Sequence, residues 1–181
     1  MKNDTKNTSK FLSYILRHIP SDIGLELDQA GWANMSDLIS KANNKGKVLS
    51  EELIQLVVET CDKQRFAISS CGQLIRANQG HSIEIDLGLP PKVPPALLYH
   101  GTAEKFINAI EKEGLKKRQR HHVHLTENIK TAQSVGSRYG KLILLSIDTH
   151  AMSKAGMQFF QSTNGVWLTN EVPPQYLSRK T

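Results

Sequence analysis

A run of prolines at residues 90–95 constrains the fold of this chain more strongly than any other feature. Four of these six residues are proline. Proline lacks the backbone N–H donor and fixes φ, so neither a helix nor a central strand continues through the run. The 181 residues are enough for two small hydrophobic cores. We therefore expect two domains, at 1–89 and 96–181, joined by a proline-rich linker at 90–95.

The segment before the prolines has the pattern of three helices followed by a β-hairpin. Helices are predicted to begin at Ser9, at Ser36 and at Ser50, and strands are predicted at 66–68 and 74–76. This order is typical of a winged-helix domain. The polar residues 1–8 are expected to form a disordered tail.

The segment after the prolines predicts a smaller, β-rich domain. Strands are expected at 96–100, 122–125 and 142–147, helices after Thr102 and Thr126, and a hairpin turn at Asn164-Gly165. The helix after Thr102 should end at Gly114 and the helix after Thr126 at about Tyr139. Together the two halves predict the α+β class.

The charge of the chain favours an acidic or nucleic-acid partner. Lys and Arg number 23 against 17 Asp and Glu, a net charge of +6. The two cysteines, Cys61 and Cys71, form no Cys-x-x-Cys pair and are expected to be free thiols in a reducing compartment. The apolar runs are too short for a membrane span. We expect a cytoplasmic protein with no membrane contact and no obligate protein partner.

Histidines at 121, 122 and 124 raise the question of a zinc site. Zinc needs three or four converging ligands, whereas alternation along a strand places His122 and His124 on one face and His121 on the other. We therefore predict no metal. The triplets beginning at His100 and His124 are also similar to the paired motifs of two-histidine phosphoesterases, in which one imidazole is the base and the other the acid. That activity is an alternative interpretation.

Longer strings of residues occur in order along nearly the whole chain. They are Leu16-Arg17-His18, Gly24-Leu25-Glu26-Leu27-Asp28, Arg65-Phe66, Ile75-Arg76-Ala77-Asn78-Gln79-Gly80-His81-Ser82, Tyr99-His100-Gly101-Thr102, His122-Val123-His124-Leu125-Thr126 and Val135-Gly136-Ser137-Arg138-Tyr139-Gly140. From about Lys10 to Leu177 the chain closely resembles the NAD-dependent RNA 2'-phosphotransferase family. The resemblance implies an N-terminal winged-helix RNA lobe and a C-terminal, NAD-binding lobe of the ADP-ribosyltransferase type.

The resemblance also implies a reaction in two steps, with NAD as co-substrate and no metal. The RNA 2'-phosphate attacks the anomeric carbon of the NAD ribose and displaces nicotinamide, which gives an ADP-ribosylated RNA phosphate. The ribose 2''-hydroxyl then attacks the phosphorus and releases 2'-OH RNA and ADP-ribose 1'',2''-cyclic phosphate. In the family this reaction belongs to RNA processing and tRNA splicing. A winged-helix nucleic-acid binder with a ligand-sensing second domain is a further alternative.

Site residues are assigned by matching the family's motifs to this sequence. The implied catalytic set is Arg17, His18, Arg65 and Arg138, and arginine suits it because its fork makes two parallel hydrogen bonds to phosphate. The implied NAD contacts are His100, Gly101, Thr102, His124, Leu125, Thr126 and Gly136. The residues expected to contact RNA are Arg76 and His81.

Four of these residues also have a plainer interpretation. Arg17 could be a cation at a helix C-terminus, Arg65 a charge at the edge of a hairpin, and Thr102 and Thr126 helix caps. Glu171 is left without a role.

Overall fold

The computed structural model describes residues 2–180 of the chain. The backbone divides into two compact units, residues 1–88 and 89–181. Each unit contains both helices and antiparallel strands, which is compatible with the predicted α+β class. The two units are described separately below.

Within residues 2–88 the first unit has three α-helices and a three-stranded sheet. Its elements are α1 (Lys2–Arg17), a 3-10 turn (Pro20–Ile23), β1 (Ala33–Asn34), α2 (Met35–Asn44), α3 (Glu51–Glu59), β2 (Phe66–Ile68) and β3 (Leu74–Ala77). The strand order is β1-β3-β2, with antiparallel pairing throughout. Its fully buried side chains include Leu12, Leu16, Leu38, Ile54 and Ile75. The three predicted helices and the hairpin are thus confirmed, whereas the short strand β1 is an addition to the prediction.

Side-chain caps determine where two of these helices begin. Ser50 accepts a hydrogen bond from the Leu53 amide at 3.2 Å, so α3 begins after Ser50 as predicted. Asn34 accepts one from the Asp37 amide at 3.0 Å. Because Asn34 is the cap, α2 begins at Met35 rather than at Ser36.

The predicted start of the first helix is wrong. α1 begins at Lys2, not at Ser9, so residues 2–8 are helical and the predicted disordered tail is corrected; Met1 lies outside the described residues. Thr8 is only 8% exposed. It lies one helical turn before the buried Leu12, so the face that packs on the core extends further towards the N-terminus than the apolar residues indicate.

The described part of the second unit, residues 89–180, has three small antiparallel sheets and three α-helices. Its elements are β4 (Leu97–Ala103), α4 (Ile107–Glu113), β5 (Leu115–Lys116), β6 (Val123–Leu125), α5 (Ile129–Gly136), β7 (Leu142–Asp148), α6 (Thr149–Lys154), β8 (Phe159–Gln161), β9 (Trp167–Thr169), β10 (Glu171–Val172) and β11 (Leu177–Lys180). The sheet orders are β11-β7-β4, β6-β9-β8 and β10-β5. The long strand β7, the end of α4 at Gly114 and the β8–β9 hairpin around Asn164-Gly165 are confirmed.

Two predicted helix caps in this unit are wrong. Thr102 lies inside β4, where it pairs with Ile143, and α4 follows only after a 3-10 turn at Glu104–Phe106. The cap of α5 is Asn128, whose side chain accepts a hydrogen bond from the Thr131 amide at 3.0 Å. The strand continues through Thr102 because β7 supplies a pairing partner along its whole length, which a local pattern does not reveal.

The proline-rich segment is part of the second unit rather than a free linker. Pro91 pairs with Phe160 as an isolated bridge, and the Lys92 amide donates to the Phe159 carbonyl at 2.8 Å. Farther along, the Thr149 hydroxyl donates to the Pro95 carbonyl. Proline is tolerated there because an edge position does not require every backbone donor. None of the helices within residues 2–180 has the length and apolar character needed to cross a bilayer.

Candidate functional site

Arg17 and His18 lie where α1 ends, against a loop that follows β3. We call residues Asn78–Ser82 the 78–82 loop. The Ser82 amide donates to the Arg17 carbonyl at 2.9 Å. Gly80 has φ of +90°, and a Cβ built on it would lie 3.6 Å from Arg17 Nη1, so the loop backbone lies directly against the guanidinium group. His18 Nδ1 is 2.9 Å from the Ser82 hydroxyl oxygen.

Arg65 lies next to this cluster, immediately before β2. Its carbonyl oxygen accepts hydrogen bonds from Arg17 Nη2 at 3.4 Å and from the Asn78 amide at 2.9 Å. The Asn78 side chain also donates to the Gln64 carbonyl at 2.6 Å. The first unit therefore brings together three of the four residues of the expected catalytic set, although they are separated in sequence.

The Arg65 side chain contacts a thiol. Arg65 Nη1 donates to Cys61 Sγ at 3.2 Å. Burial raises the pKa of the Cys61 thiol, but the backbone amides of Arg65 and Lys63 and the Arg65 guanidinium outweigh it, so the pKa falls below its ordinary value. The thiol therefore favours the guanidinium orientation that points towards it.

The two expected RNA contacts lie in different surroundings. Arg76 is half-buried and its guanidinium carbon lies 4.5 Å from the centre of the Trp32 ring, within the range of a cation–π contact. His81 is only 3% exposed. A Cβ built on Gly31 would lie 3.5 Å from His81 Nε2, which places the imidazole against the interior of the unit.

In the second unit, two of the expected NAD residues form a close contact between β4 and α5. A Cβ built on Gly101 would lie 1.7 Å from the Ala132 carbonyl oxygen. A Cβ built on Gly136 would lie 2.7 Å from the Thr102 amide nitrogen and 2.8 Å from the Gly101 carbonyl carbon. Close packing within the protein therefore requires glycine at both positions. This requirement could not be seen from the sequence.

His100 and His124 are brought together by the neighbouring strands β4 and β6. His100 Nδ1 lies 3.0 Å from the His124 carbonyl oxygen. Because a carbonyl only accepts, Nδ1 carries the proton, and Nε2 of the neutral ring is an acceptor. Burial lowers the pKa of His100, and the charge of Arg120 lowers it further, against the opposing effect of the bond to His124. At neutral pH this imidazole is therefore uncharged.

The remaining expected NAD residues contribute mainly to the framework. The Leu125 and Thr102 side chains are buried. Thr126 exchanges two backbone hydrogen bonds with Tyr99, at 2.8 and 3.0 Å, and thereby links β6 to β4. His124 Nδ1 lies 3.5 Å from Arg120 Nη1, so Arg120 is a further basic residue of this region.

Arg138 follows α5 in a 3-10 turn at Ser137–Tyr139 and is exposed. No hydrogen bond or ion pair joins it to any other residue in the described part of the chain. Glu171, by contrast, forms an ion pair with Lys116 across the β10–β5 pair. Across residues 2–180 no group of three or more His, Cys, Asp or Glu side chains could hold a metal ion.

Sequence interpretation missed the individual roles of Ser82 and Asn78. Both occur in one of the strings that resemble the family, but nothing local shows that their contacts are with the end of α1 and the start of β2. The Trp167 indole N–H, which donates to Glu127 at 2.7 Å, was missed for the same reason.

Comparison with known proteins agrees with the resemblance. The family described as RNA 2'-phosphotransferase, Tpt1 / KptA family, matches residues 2–171. A probable RNA 2'-phosphotransferase of Pseudomonas fluorescens is 52% identical over 97% of this chain and 97% of its own length. One from Flavobacterium johnsoniae is 49% identical over 99% of each chain, and one from Agrobacterium fabrum is 50% identical over 94% of this chain and 92% of its own.

Matches of this extent make the protein an enzyme of the transferase kind. The chain belongs to the RNA 2'-phosphotransferase family.

Proposed function

We propose that this protein removes a 2'-phosphate from RNA by transferring it to NAD. In the first step a phosphate oxygen forms a bond to the anomeric carbon of the ribose, and the bond from that carbon to nicotinamide breaks. In the second step the ribose 2''-oxygen bonds to phosphorus, and the bond from phosphorus to the RNA 2'-oxygen breaks. The 2''-hydroxyl loses a proton and the RNA oxygen gains one, so the products are 2'-OH RNA and ADP-ribose 1'',2''-cyclic phosphate.

The observation that carries this proposal is the cluster of Arg17, His18 and the Arg65 backbone around the 78–82 loop. A phosphate is a dianion near neutral pH, and guanidinium groups bind it with charge-assisted, paired hydrogen bonds. Arginine also keeps its charge at any working pH. We assign Arg17 and His18 to holding the 2'-phosphate from the first unit.

Arg65 and Arg138 are assigned to the second step, in which negative charge grows on the phosphoryl oxygens. A fixed donor aimed at such an oxygen lowers a barrier by about 2.7 to 4 kcal/mol in comparable sites. The contact with Cys61 limits the orientations of the Arg65 guanidinium. The exposed Arg138 has no partner among the described residues that would compete with a phosphate.

The state of His100 supports a place for NAD in the second unit. Its neutral ring has an acceptor at Nε2, which suits a ribose hydroxyl, a group that donates one hydrogen bond. A charged imidazole would lack that acceptor. We therefore assign His100 and the adjacent His124 to ribose or adenosine contacts. The buried side chains of Thr102 and Leu125 point to contacts through the backbone or to indirect roles at these positions.

We propose that the first unit is a winged-helix RNA lobe and the second an ADP-ribosyltransferase-like lobe. Three helices with a β2–β3 hairpin support the first assignment. Arg76, held over Trp32, is assigned to an RNA phosphate, a contact that positions RNA without reading its bases. Since His81 is buried, we assign it to shaping the 78–82 loop rather than to direct contact with RNA. We also propose that the protein acts in the cytoplasm, in RNA processing of the tRNA-splicing kind.

The test is incubation of the full chain with an RNA that carries one internal 2'-phosphate, with and without NAD. ADP-ribose cyclic phosphate and nicotinamide should form only when NAD is present. Arg17→Ala should abolish the product, whereas Arg179→Ala, which removes an exposed arginine paired with Glu111, should not. Cleavage without NAD would instead indicate a two-histidine phosphoesterase, and RNA binding without turnover a nucleic-acid binder.

A further inference from the structure

One contact in the first unit joins a side chain of the expected catalytic set to a residue that has no assigned role. His18 Nδ1 lies 2.9 Å from the Ser82 hydroxyl oxygen, between residues 64 positions apart in sequence. Ser82 is exposed and His18 is half-buried. The pair therefore lies at the surface of the unit, where a substrate phosphate could reach the imidazole.

A hydrogen bond at one imidazole nitrogen controls what the other nitrogen does. The partner sets the orientation of the ring and influences which nitrogen carries the proton. With Ser82 at Nδ1, an anion that binds this imidazole meets Nε2. A hydroxyl can donate to a neutral Nδ1 or accept from a protonated one, so Ser82 holds the ring in either state.

The same residue also anchors the neighbouring arginine. The Ser82 amide donates to the Arg17 carbonyl at 2.9 Å, so one residue of the loop contacts two consecutive residues at the end of α1. The approach of the loop is fixed by Gly80, whose φ of +90° and closeness to the Arg17 guanidinium suit glycine. Ser82 is thus held by the backbone independently of its hydroxyl group.

We propose that Ser82 is a positioning residue, which orients the His18 imidazole so that Nε2 faces the 2'-phosphate of the RNA. The inference rests on the proposed function, because it gives Ser82 a role that acts through His18. The bond from the Ser82 amide remains when only the hydroxyl is removed. A substitution of the Ser82 side chain therefore changes the orientation of the His18 imidazole without changing the backbone path of the 78–82 loop.

The experiment compares Ser82→Ala and Ser82→Thr with the wild-type chain and with Ser21→Ala. Ser21 is an exposed serine of the same unit whose carbonyl, not its hydroxyl, makes the bond that holds its turn. The first readout is the pair of ring ¹⁵N chemical shifts of His18 by NMR without substrate. The second is the single-turnover rate of nicotinamide release with saturating NAD and 2'-phosphorylated RNA.

Ser82→Ala should change the tautomer balance of His18 and lower the single-turnover rate by about tenfold or more, by analogy with the 10–100-fold losses seen when a partner of a metal-bound histidine is removed. Ser82→Thr should restore both readouts, and Ser21→Ala should change neither. Ser82→Ala with wild-type shifts and rate would overturn the proposal. The proposal would also be overturned if Ser82→Ala and Ser82→Thr both lowered the rate while the His18 chemical shifts stayed at their wild-type values.

The failure of the proposed function gives a different result. In that case the wild-type chain releases no nicotinamide with RNA, and the NMR readout alone decides whether Ser82 orients His18. A melting temperature within 2 °C of wild type, less than a 1 kcal/mol change produces in a domain of this size, serves as the check that each variant is folded.

Discussion

Replacing Gly136 with alanine should improve helix propensity but also create steric overlap. The contacts around Gly136 indicate that the overlap has the larger effect on stability. Gly136 is the last residue of α5, with φ of −63° and ψ of −41°, an ordinary helical conformation. At an exposed helical position, alanine in place of glycine stabilises by about 1 kcal/mol. The added Cβ, however, would lie 2.6 Å from a Leu142 methyl carbon, 2.7 Å from the Thr102 amide nitrogen and 2.8 Å from the Gly101 carbonyl carbon.

The size of the effect follows from which atoms must move. The leucine methyl can rotate away, but the other two contacts are with the backbone of β4, which is held by its pairing with β7. Overpacking of this kind costs about 1–3 kcal/mol, and a contact with backbone belongs to the upper part of that range. After the gain from helix propensity, we expect a net destabilisation of about 2 kcal/mol, which lowers the melting temperature of a domain of this size by about 8–16 °C.

The assay uses the fact that each unit contains one tryptophan, Trp32 in the first and Trp167 in the second. In a Trp32→Phe background, fluorescence reports the thermal unfolding of the second unit alone. The control is Ser134→Ala on an exposed position of the same helix, which should change stability by no more than about 0.5 kcal/mol. A Gly136→Ala variant that is as stable as its background, or more stable, would refute the close contact between α5 and β4.

Three further predictions concern other parts of the molecule. Arg138→Lys should lower turnover by about 100-fold or more without changing stability, since a point charge does not reproduce a bidentate fork; a rate near that of wild type would remove Arg138 from the catalytic set. Ser50→Ala should destabilise the first unit by about 1 kcal/mol in urea denaturation, because α3 loses its cap, and an unchanged midpoint would contradict that role. Partial burial lowers the pKa of His100 below 6.5, so its contribution to stability is complete above that pH and is lost as the pH falls below it. His100→Asn should flatten the loss of stability of the second unit between pH 7.5 and 5, and an unchanged slope would count against a neutral ring at this half-buried position.

Features that depend on neighbouring residues along the chain could be predicted from the sequence. The Ser50 cap, the end of α4 at Gly114 and the Asn164-Gly165 hairpin each follow from the backbone chemistry of a few consecutive residues. The helical residues before Ser9 were missed because Thr8 is buried by tertiary packing, which a polar sequence does not indicate.

The candidate site shows the same difference between local features, which the sequence predicts, and tertiary contacts, which it does not. The sequence strings made Arg17, His18 and Arg65 candidates, but the contacts that bring them together depend on a loop more than sixty residues away from the end of α1. Gly101 and Gly136 were assigned as NAD contacts, and the structure adds that Gly101 of β4 lies against the backbone of α5 and Gly136 of α5 against the backbone of β4. His81 was expected to contact RNA from the match to the family's motifs, and its side chain is buried. A sequence pattern can indicate which residues are important, but it does not show which atoms those residues contact.

The electrostatic character of the two units differs in a way that suits the two reactants of the proposed reaction. The first unit places the Arg17 guanidinium and the His18 imidazole at the end of α1, beside the Arg65 backbone, and the two side chains favour a phosphate. The second unit lowers the pKa of His100 and so keeps that ring neutral, which favours a sugar hydroxyl over an anion. If His100 were charged, it would attract the RNA phosphate to the place that the co-substrate should occupy. In the proposed reaction, a neutral His100 favours the sugar hydroxyl, whereas the permanently charged Arg138 favours the phosphate.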